Sequence, residues 1–308
     1  MKIVFLGSAD FGIPALTMLM RGHQVAAVVT VPPKRAGRGL KVQESPVGHF
    51  AEQNRLAPVF KPENLRDPEF LQTLAALRAD LFVVAAYRIL PREVFSIPPL
   101  GTVNIHASLL PAYRGPAPIQ RAIEAGETET GVTVFGIDEG IDTGGILLQK
   151  RLAIAPGETT PELYGRLSAL GGQALDEALS GLRRGSIKPV VQDNNGASRA
   201  PRLRKEEALI DWRLSAVAIY NKIRAFKPFP GTYALLDGRR LGIEKAEPVA
   251  DKPSSDPGVV CRVSADSFDV GCSAGALRVL EVKPEGRRAM NVHDFLLGRG
   301  VQEGTRLL

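Results

Sequence analysis

Asn104 and His106 stand two residues apart in the run Thr102-Val103-Asn104-Ile105-His106. Side chains at that spacing on a strand share one face, so the carboxamide and the imidazole project together while Val103 and Ile105 point the other way. An amide N–H is a neutral hydrogen-bond donor, and an imidazole titrates near neutrality. Those are the two parts a tetrahedral intermediate at a carbonyl needs, an oxyanion stabiliser and a proton shuttle. The plain alternative for His106 is a hydrogen-bonded core histidine. The paired Asn104 and the Gly/Pro-rich stretch Ala107–Pro116 favour the chemical reading. His23, His49 and His293 have no such companions and read as structural.

A second polar cluster is Asp138-Glu139-Gly140-Ile141-Asp142-Thr143-Gly144-Gly145. An aspartic protease would need two Asp-Thr-Gly copies, and the chain has one. A calcium loop fails too, because Gln149 falls where the closing glutamate belongs. Two readings stay open: an Asx-type turn built on Asp142, or a carboxylate that orients and stabilises a charged His106. Ser108 lacks a G-x-S-x-G elbow, and the two cysteines, Cys261 and Cys272, lie far along the chain. Direct attack by an external amine on a bound carbonyl is therefore expected, without a covalent enzyme intermediate. No metal is expected, since the four histidines are scattered with no H-x-x-x-H or C-x-x-C. Gly7-Ser8-Ala9-Asp10-Phe11-Gly12 misses the dinucleotide fingerprint, with Ala at position nine, and Ile13 stands where a phosphate loop has lysine. It reads as a tight turn, or as a loop facing a phosphate through a helix N-terminus.

These groups need a scaffold. Apolar runs at Lys2–Gly7, Gln24–Val31, Pro58–Phe60, Leu81–Tyr87, Gly101–His106, Gly131–Ile137 and Gly145–Ile154 predict strands. Helical spacing covers Phe11–Arg21, Pro46–Arg55, Asp67–Arg78, Pro116–Ala125 and Thr160–Arg184. Such alternation predicts an α/β domain with a mostly parallel sheet covered on both sides, over residues 1–188. Asn104 and His106 then sit at the carboxyl end of a strand, where open α/β sheets place ligands. Periodicity lapses near 185–204, and residues 189–205 are expected to be a linker. Residues 206–308 hold one helical segment, Ser215–Phe226, and otherwise short strands between turns, the pattern of a small β-barrel or sandwich. Pro32–Pro46 reads as a long Pro/Gly/basic loop, and within it Lys34, Arg35, Arg38 and Lys41 suit a phosphate-bearing partner.

Of the 308 residues, 44% are hydrophobic, enough for real cores and against disorder. No stretch approaches the ~18 apolar residues of a membrane span. Two cysteines are too few for a disulfide framework and suit a reducing compartment, so a cytoplasmic location is expected.

The motifs Asn104-x-His106, Ser108-Leu109-Leu110-Pro111, Tyr113-Arg114-Gly115, Pro118-Ile119-Gln120 and Asp142-Thr143-Gly144 together resemble the folate-dependent formyltransferases. The likeness begins at Phe5–Phe11, includes Ala36-Gly37-Arg38-Gly39 and Ser45-Pro46-Val47, and reaches Lys205–Ala208, Ile210-Asp211-Trp212 and Arg224–Gly231. The basic loop and the C-terminal domain point to the branch that acts on aminoacylated tRNA. The resemblance implies a Rossmann-like N-terminal domain and an OB-like C-terminal β-barrel that rides on tRNA phosphates. It implies 10-formyltetrahydrofolate as donor, the α-amino group of methionine on initiator tRNA as acceptor, no metal, no membrane and a monomer. By the same resemblance Asn104 would polarise the formyl oxygen, His106 shuttle the proton, and Asp142 keep His106 poised. Folate contacts are implied at Ser108, Leu109, Leu110 and Pro111, at Tyr87, Arg88, Ile89 and Leu90, and at Asp138 and Gly140; tRNA contacts at Lys34, Arg35, Arg38 and Lys41. The chain departs from the pattern at Pro116, at Arg88 where Gly is usual, at Phe229 where Trp is common, and at Pro33-Lys34. Nucleotide-sugar and purine-pathway formyltransferases, a formyltetrahydrofolate hydrolase and a non-catalytic RNA-binding module are the rival readings.

Overall fold

The computed structural model describes residues 1–36, 41–56, 58–249, 256–298 and 301–308. It forms two compact units: residues 1–118, 129–153 and 164–200 make one, and residues 119–128, 154–163 and 201–308 the other.

The first unit follows the hydrophobic pattern. Strand β1 (Lys2–Gly7) carries Ile3, Val4, Phe5 and Leu6, all fully buried, as a strand covered on both faces must. Helix α1 (Ile13–Gly22) leads to β2 (Gln24–Val29), parallel to β1. The segment expected to be an irregular basic loop instead contains β3 (Lys34–Ala36) and β4 (Lys41–Gln43), paired antiparallel. Their residues show no apolar alternation, and that is the signal by which a strand is read. Ser45 caps α2 (Pro46–Gln53), accepting from the Gly48 N–H at 2.9 Å. After β5 (Val59–Phe60), Asp67 caps α3 (Pro68–Ala76) as its sequence predicts, accepting from Glu69 N–H at 3.0 Å. Then come β6 (Leu81–Ala85), α4 (Arg92–Phe95), β7 (Thr102–His106), β8 (Glu129–Gly136), β9 (Ile146–Ala153) and, from Tyr164 on, α6 (Thr160–Arg184), while α5 (Pro118–Ala125), between β7 and β8 in the chain, falls from Ile119 on in the second unit.

The sheet order is β5-β2-β1-β6-β7-β8-β9. The pairs through β7 are parallel, while β8 and β9 each run antiparallel to the strand before. The sheet is thus mostly parallel and Rossmann-like. The carboxyl ends of β1, β6 and β7 release the loops that begin at Ser8, Ala86 and Ala107.

In the second unit, α7 (Ala216–Ala225) packs with β10 (Tyr233–Leu236), β11 (Arg239–Val249), β12 (Val260–Val263), β13 (Phe268–Gly271), β14 (Ala276–Pro284) and β15 (Met290–Asn291). The order is β10-β11-β14-β13-β12, with β15 against β14, all antiparallel. Irregular register near Lys245 lets β11 bend, and the sheet curls as a half-barrel. Trp212, Ile219, Phe268, Val279 and Val282 lie in its core. One expectation is corrected here. Within residues 206–308 a further α-helix, α8 (Val292–Gly298), follows α7; it buries Val292 and Phe295 and starts where Asn291 Oδ1 accepts from Asp294 N–H at 2.8 Å. Two turns are too few for a periodic signal to stand out.

Candidate active site

Strand β7 carries Asn104 and His106 opposite Phe135 and Thr133 of β8. His106 is buried and Asn104 half-buried. The Asn104 carboxamide has no hydrogen-bond partner among the described residues. The imidazole is held from both sides. Its Nε2 lies 2.9 Å from the Tyr113 carbonyl oxygen, and a carbonyl only accepts, so Nε2 carries a hydrogen. Its Nδ1 lies 3.6 Å from Asp142 Oδ2, with the side chains 7% and 16% exposed. That separation is long for a hydrogen bond and leaves the carboxylate facing the ring nitrogen across a short gap.

Both flanking groups come from strained backbone. Tyr113 and Asp142 sit at φ +61° and +55°, left-handed values that cost a residue with a Cβ about 1–3 kcal/mol and that recur at functional sites. Their surroundings hold them there. Asp142 Oδ2 accepts from the Gly115 N–H at 2.8 Å, and Ser198 Oγ accepts from the Tyr113 N–H at 2.8 Å. Gly144 must be glycine, since a Cβ there would lie 1.7 Å from the Gly136 carbonyl oxygen. The Asp142 loop can fold onto the end of β8 only through this close approach.

The turn after β7 is built from inside. The fully buried Thr133 hydroxyl donates to Ser108 O at 2.7 Å and accepts from Leu110 N–H at 3.0 Å. Gln149 Nε2 donates to Leu110 O at 2.8 Å. The Ser108 hydroxyl is turned inward and donates to Ala112 O at 2.6 Å, and Leu110 is buried. Leu109 and Pro111 are half-buried. Nothing in the sequence around Thr133 or Gln149 marks either for this role.

Leaving β6, Tyr87 donates its hydroxyl to Thr30 O at 3.3 Å, and burial pushes that phenol up from its ordinary value, opposed by Arg88. Arg88 turns away to the backbone, donating to Glu63 O at 3.0 Å and Pro62 O at 2.8 Å. Ile89 is exposed and Leu90 buried in the core. No backbone hydrogen bond occupies Tyr87–Leu90 among the described residues, so their N–H and C=O groups are available to a ligand. Asp138 is exposed; its Oδ1 accepts from Gly140 N–H at 3.0 Å and from Thr143 Oγ1 at 2.6 Å. Of the basic residues, Lys34 is exposed on β3, Arg35 and Lys41 are placed by their backbone, and Arg38 lies outside the described residues.

The structure therefore brings Asn104, His106 and Asp142 to one end of the sheet, next to the free backbone after β6. A neutral donor, a proton carrier and a fixed carboxylate in that arrangement can activate a carbonyl toward an amine. No group of three or more His, Cys, Asp or Glu side chains suited to a metal ion is found among the described residues.

Residues 1–179 match the model of the formyl transferase family and residues 202–300 that of its C-terminal domain. The chain is 44% identical, over all of both sequences, to the methionyl-tRNA formyltransferase of Caldanaerobacter subterraneus. It is 42% identical to that of Geobacter metallireducens, covering 100% of this chain and 98% of the relative. Among solved structures, an N-formyltransferase from Helicobacter canadensis, crystallised with folinic acid and dTDP-3-aminofucose, superposes with a TM-score of 0.69 at 18% identity. That match covers 91% of this chain and 98% of the other. HypX from Aquifex aeolicus in complex with tetrahydrofolic acid superposes at 0.64 and 20% identity, covering 98% of this chain and 48% of that one. At those identities the likeness is one of fold.

Proposed function

The chain belongs to the formyl transferase family, and from that premise we propose that it formylates the α-amino group of methionine on initiator tRNA, with 10-formyltetrahydrofolate as donor, in translation initiation. The observation that carries the chemical reading is the Asn104 carboxamide, unpartnered among the described residues, beside an imidazole whose Nδ1 faces Asp142. The residues fit a folate donor. The open backbone of Tyr87–Leu90 suits the hydrogen-bonding edge of a pterin, with Ile89 and the half-buried Leu109 and Pro111 of the Ser108–Pro111 turn as apolar wall. Asp138 and Gly140 border the same end of the sheet. The donor supplies an activated formyl carbonyl.

The chain's own groups do the rest. Asn104 donates to the formyl oxygen as negative charge grows on it, a contact worth roughly 10²–10³ in rate. Because Nε2 is committed to the Tyr113 carbonyl, His106 takes up the amine proton at Nδ1, on the side of Asp142. Asp142, fixed by the Gly115 N–H, stabilises the resulting imidazolium, which returns the proton to N10 of the departing tetrahydrofolate as the bond from the formyl carbon to N10 breaks. A positioned acid–base contributes roughly 10²–10⁴, and holding donor and amine together supplies much of the remainder. Lys34, Arg35, Arg38 and Lys41 take the tRNA acceptor end, and the C-terminal unit follows its phosphates. No helix among the described residues is long and apolar enough to cross a membrane; the work of a translation enzyme lies in the cytoplasm, and we take the enzyme to act as a monomer.

The test is mass spectrometry of the methionine carried by tRNA, with and without 10-formyltetrahydrofolate. A donor-dependent mass gain of one formyl group is expected. A gain only on an amino-sugar nucleotide or a ribonucleotide amine, or free formate without any amine, would replace the proposal with one of its rivals.

A further inference from the structure

Gln192 belongs to the stretch the sequence reads as linker, fifty residues from Asp142, and in the structure it is buried at 6% exposure. Its amide is used completely. Nε2 donates to the carbonyl oxygens of Asp142 at 2.9 Å and Gly144 at 2.8 Å. Oε1 accepts from Arg114, at 2.6 Å from Nη2 and 3.1 Å from Nε. Arg114 lies between Tyr113, whose carbonyl receives His106 Nε2, and Gly115, whose N–H holds Asp142 Oδ2. One side chain thus ties together the two loops that meet the two ring nitrogens of the imidazole. Its neighbours fix it. Val190 exchanges two backbone hydrogen bonds with Ile146, each 2.8 Å, and Asn194 Oδ1 accepts from Arg114 Nη2 at 3.0 Å.

We propose that Gln192 is a positioning residue for the formyl transfer, setting where Asp142 stands relative to His106 Nδ1. The physical case rests on strain. Asp142 holds a left-handed backbone that an unsupported loop would leave, and nearby N–H donors to its own carbonyl and to that of Gly144 oppose that escape. A buried amide with both ends satisfied is also a rigid support, because turning it would leave N–H against N–H and O against O. The inference rests on the functional reading above only in naming the reaction that depends on this geometry.

Two substitutions separate the halves of the amide. Gln192→Met keeps the length and removes every polar contact. Gln192→Glu keeps an acceptor for Arg114 and loses the donors to the Asp142 and Gly144 carbonyls, so it remains informative if the Met variant fails to fold. The readouts are kcat and KM for tRNA, together with the ring ¹⁵N resonances of His106, assigned by their loss in His106→Ala. Both variants are expected to lower kcat about 10–100-fold, as loss of a supporting contact to an active group does, with KM for tRNA unchanged and the His106 resonances shifted. Unchanged kcat and unmoved resonances, with only a lower melting temperature, would make Gln192 a structural residue and overturn the inference. A Glu variant that behaves as wild type would overturn it as well, since the donor side is the part that matters. Shifted resonances in a protein that formylates no tRNA would uphold the positioning role and discard the functional reading.

Discussion

The two units use polar side chains in opposite ways. In the N-terminal unit the ends of β7 and β8 leave Asn104 without a partner among the described residues and hold Tyr113 and Asp142 in left-handed backbone. In the C-terminal unit, charged groups are spent on joining chain segments. Arg278 pairs with Asp269 through two hydrogen bonds of 2.9 and 3.0 Å. The buried Arg224 donates to Glu158 O at 2.7 Å and Asn221 Oδ1 at 2.6 Å. Among the described residues its one non-glycine residue at positive φ is Asp237, beside Gly238 in a hairpin turn where that backbone is expected. At its candidate site the first unit keeps left-handed backbone and an open carboxamide, whereas in the second unit these ion pairs and caps serve shape. Substitutions should therefore hurt activity in one and stability in the other.

The largest effect is expected at β7. His106→Ala and Asn104→Ala should each lower kcat by about 10²–10⁴-fold with circular dichroism unchanged. Full turnover in either would dissolve the contrast at its centre. Asp142→Asn comes next. Asparagine accepts the left-handed backbone, so the loop should hold while the charge facing His106 is lost, and single-turnover rates should fall roughly 10–100-fold. In the other unit, Asp269→Asn should cost about 1–3 kcal/mol in urea unfolding and leave kcat untouched; a drop in kcat at unchanged stability would break the comparison from the far side. The smallest effect concerns Cys272. Burial pushes its thiol up to about 11, so at neutral pH it stays protonated, and iodoacetamide should modify it only after unfolding, as read by peptide mass spectrometry. Labelling in the native protein would mean that this core opens.

Much of the scaffold could be read from residue patterns, because each signal is local. Buried strands announce themselves as apolar runs, Asp67-Pro68 as a helix start, and Asn104-x-His106 as one face of a strand. The misses share a cause too. The pair β3–β4 is a three-residue ladder of mostly basic and polar residues without hydrophobic alternation, and α8 is shorter than the window in which a period stands out. At the site, Asp142 could be named as a candidate but not joined to His106, since they lie on different loops. Thr133, Gln149 and Gln192 carried no signal at all. Each is a common polar residue whose task appears only when its partners arrive from elsewhere in the chain.

Composition and spacing alone determined that this is an α/β domain followed by a β-rich one, with a carboxamide and an imidazole on one strand face. Periodicity reports how each segment meets water and core, and that is a property of the segment itself. Only the tertiary structure decided which nitrogen of His106 faces the carboxylate, why Gly144 admits no side chain, and that a glutamine from the segment after α6 braces both loops. Those are matters of distance between residues far apart in sequence, set when the sheet order places the ends of β7, β8 and the 189–200 segment side by side.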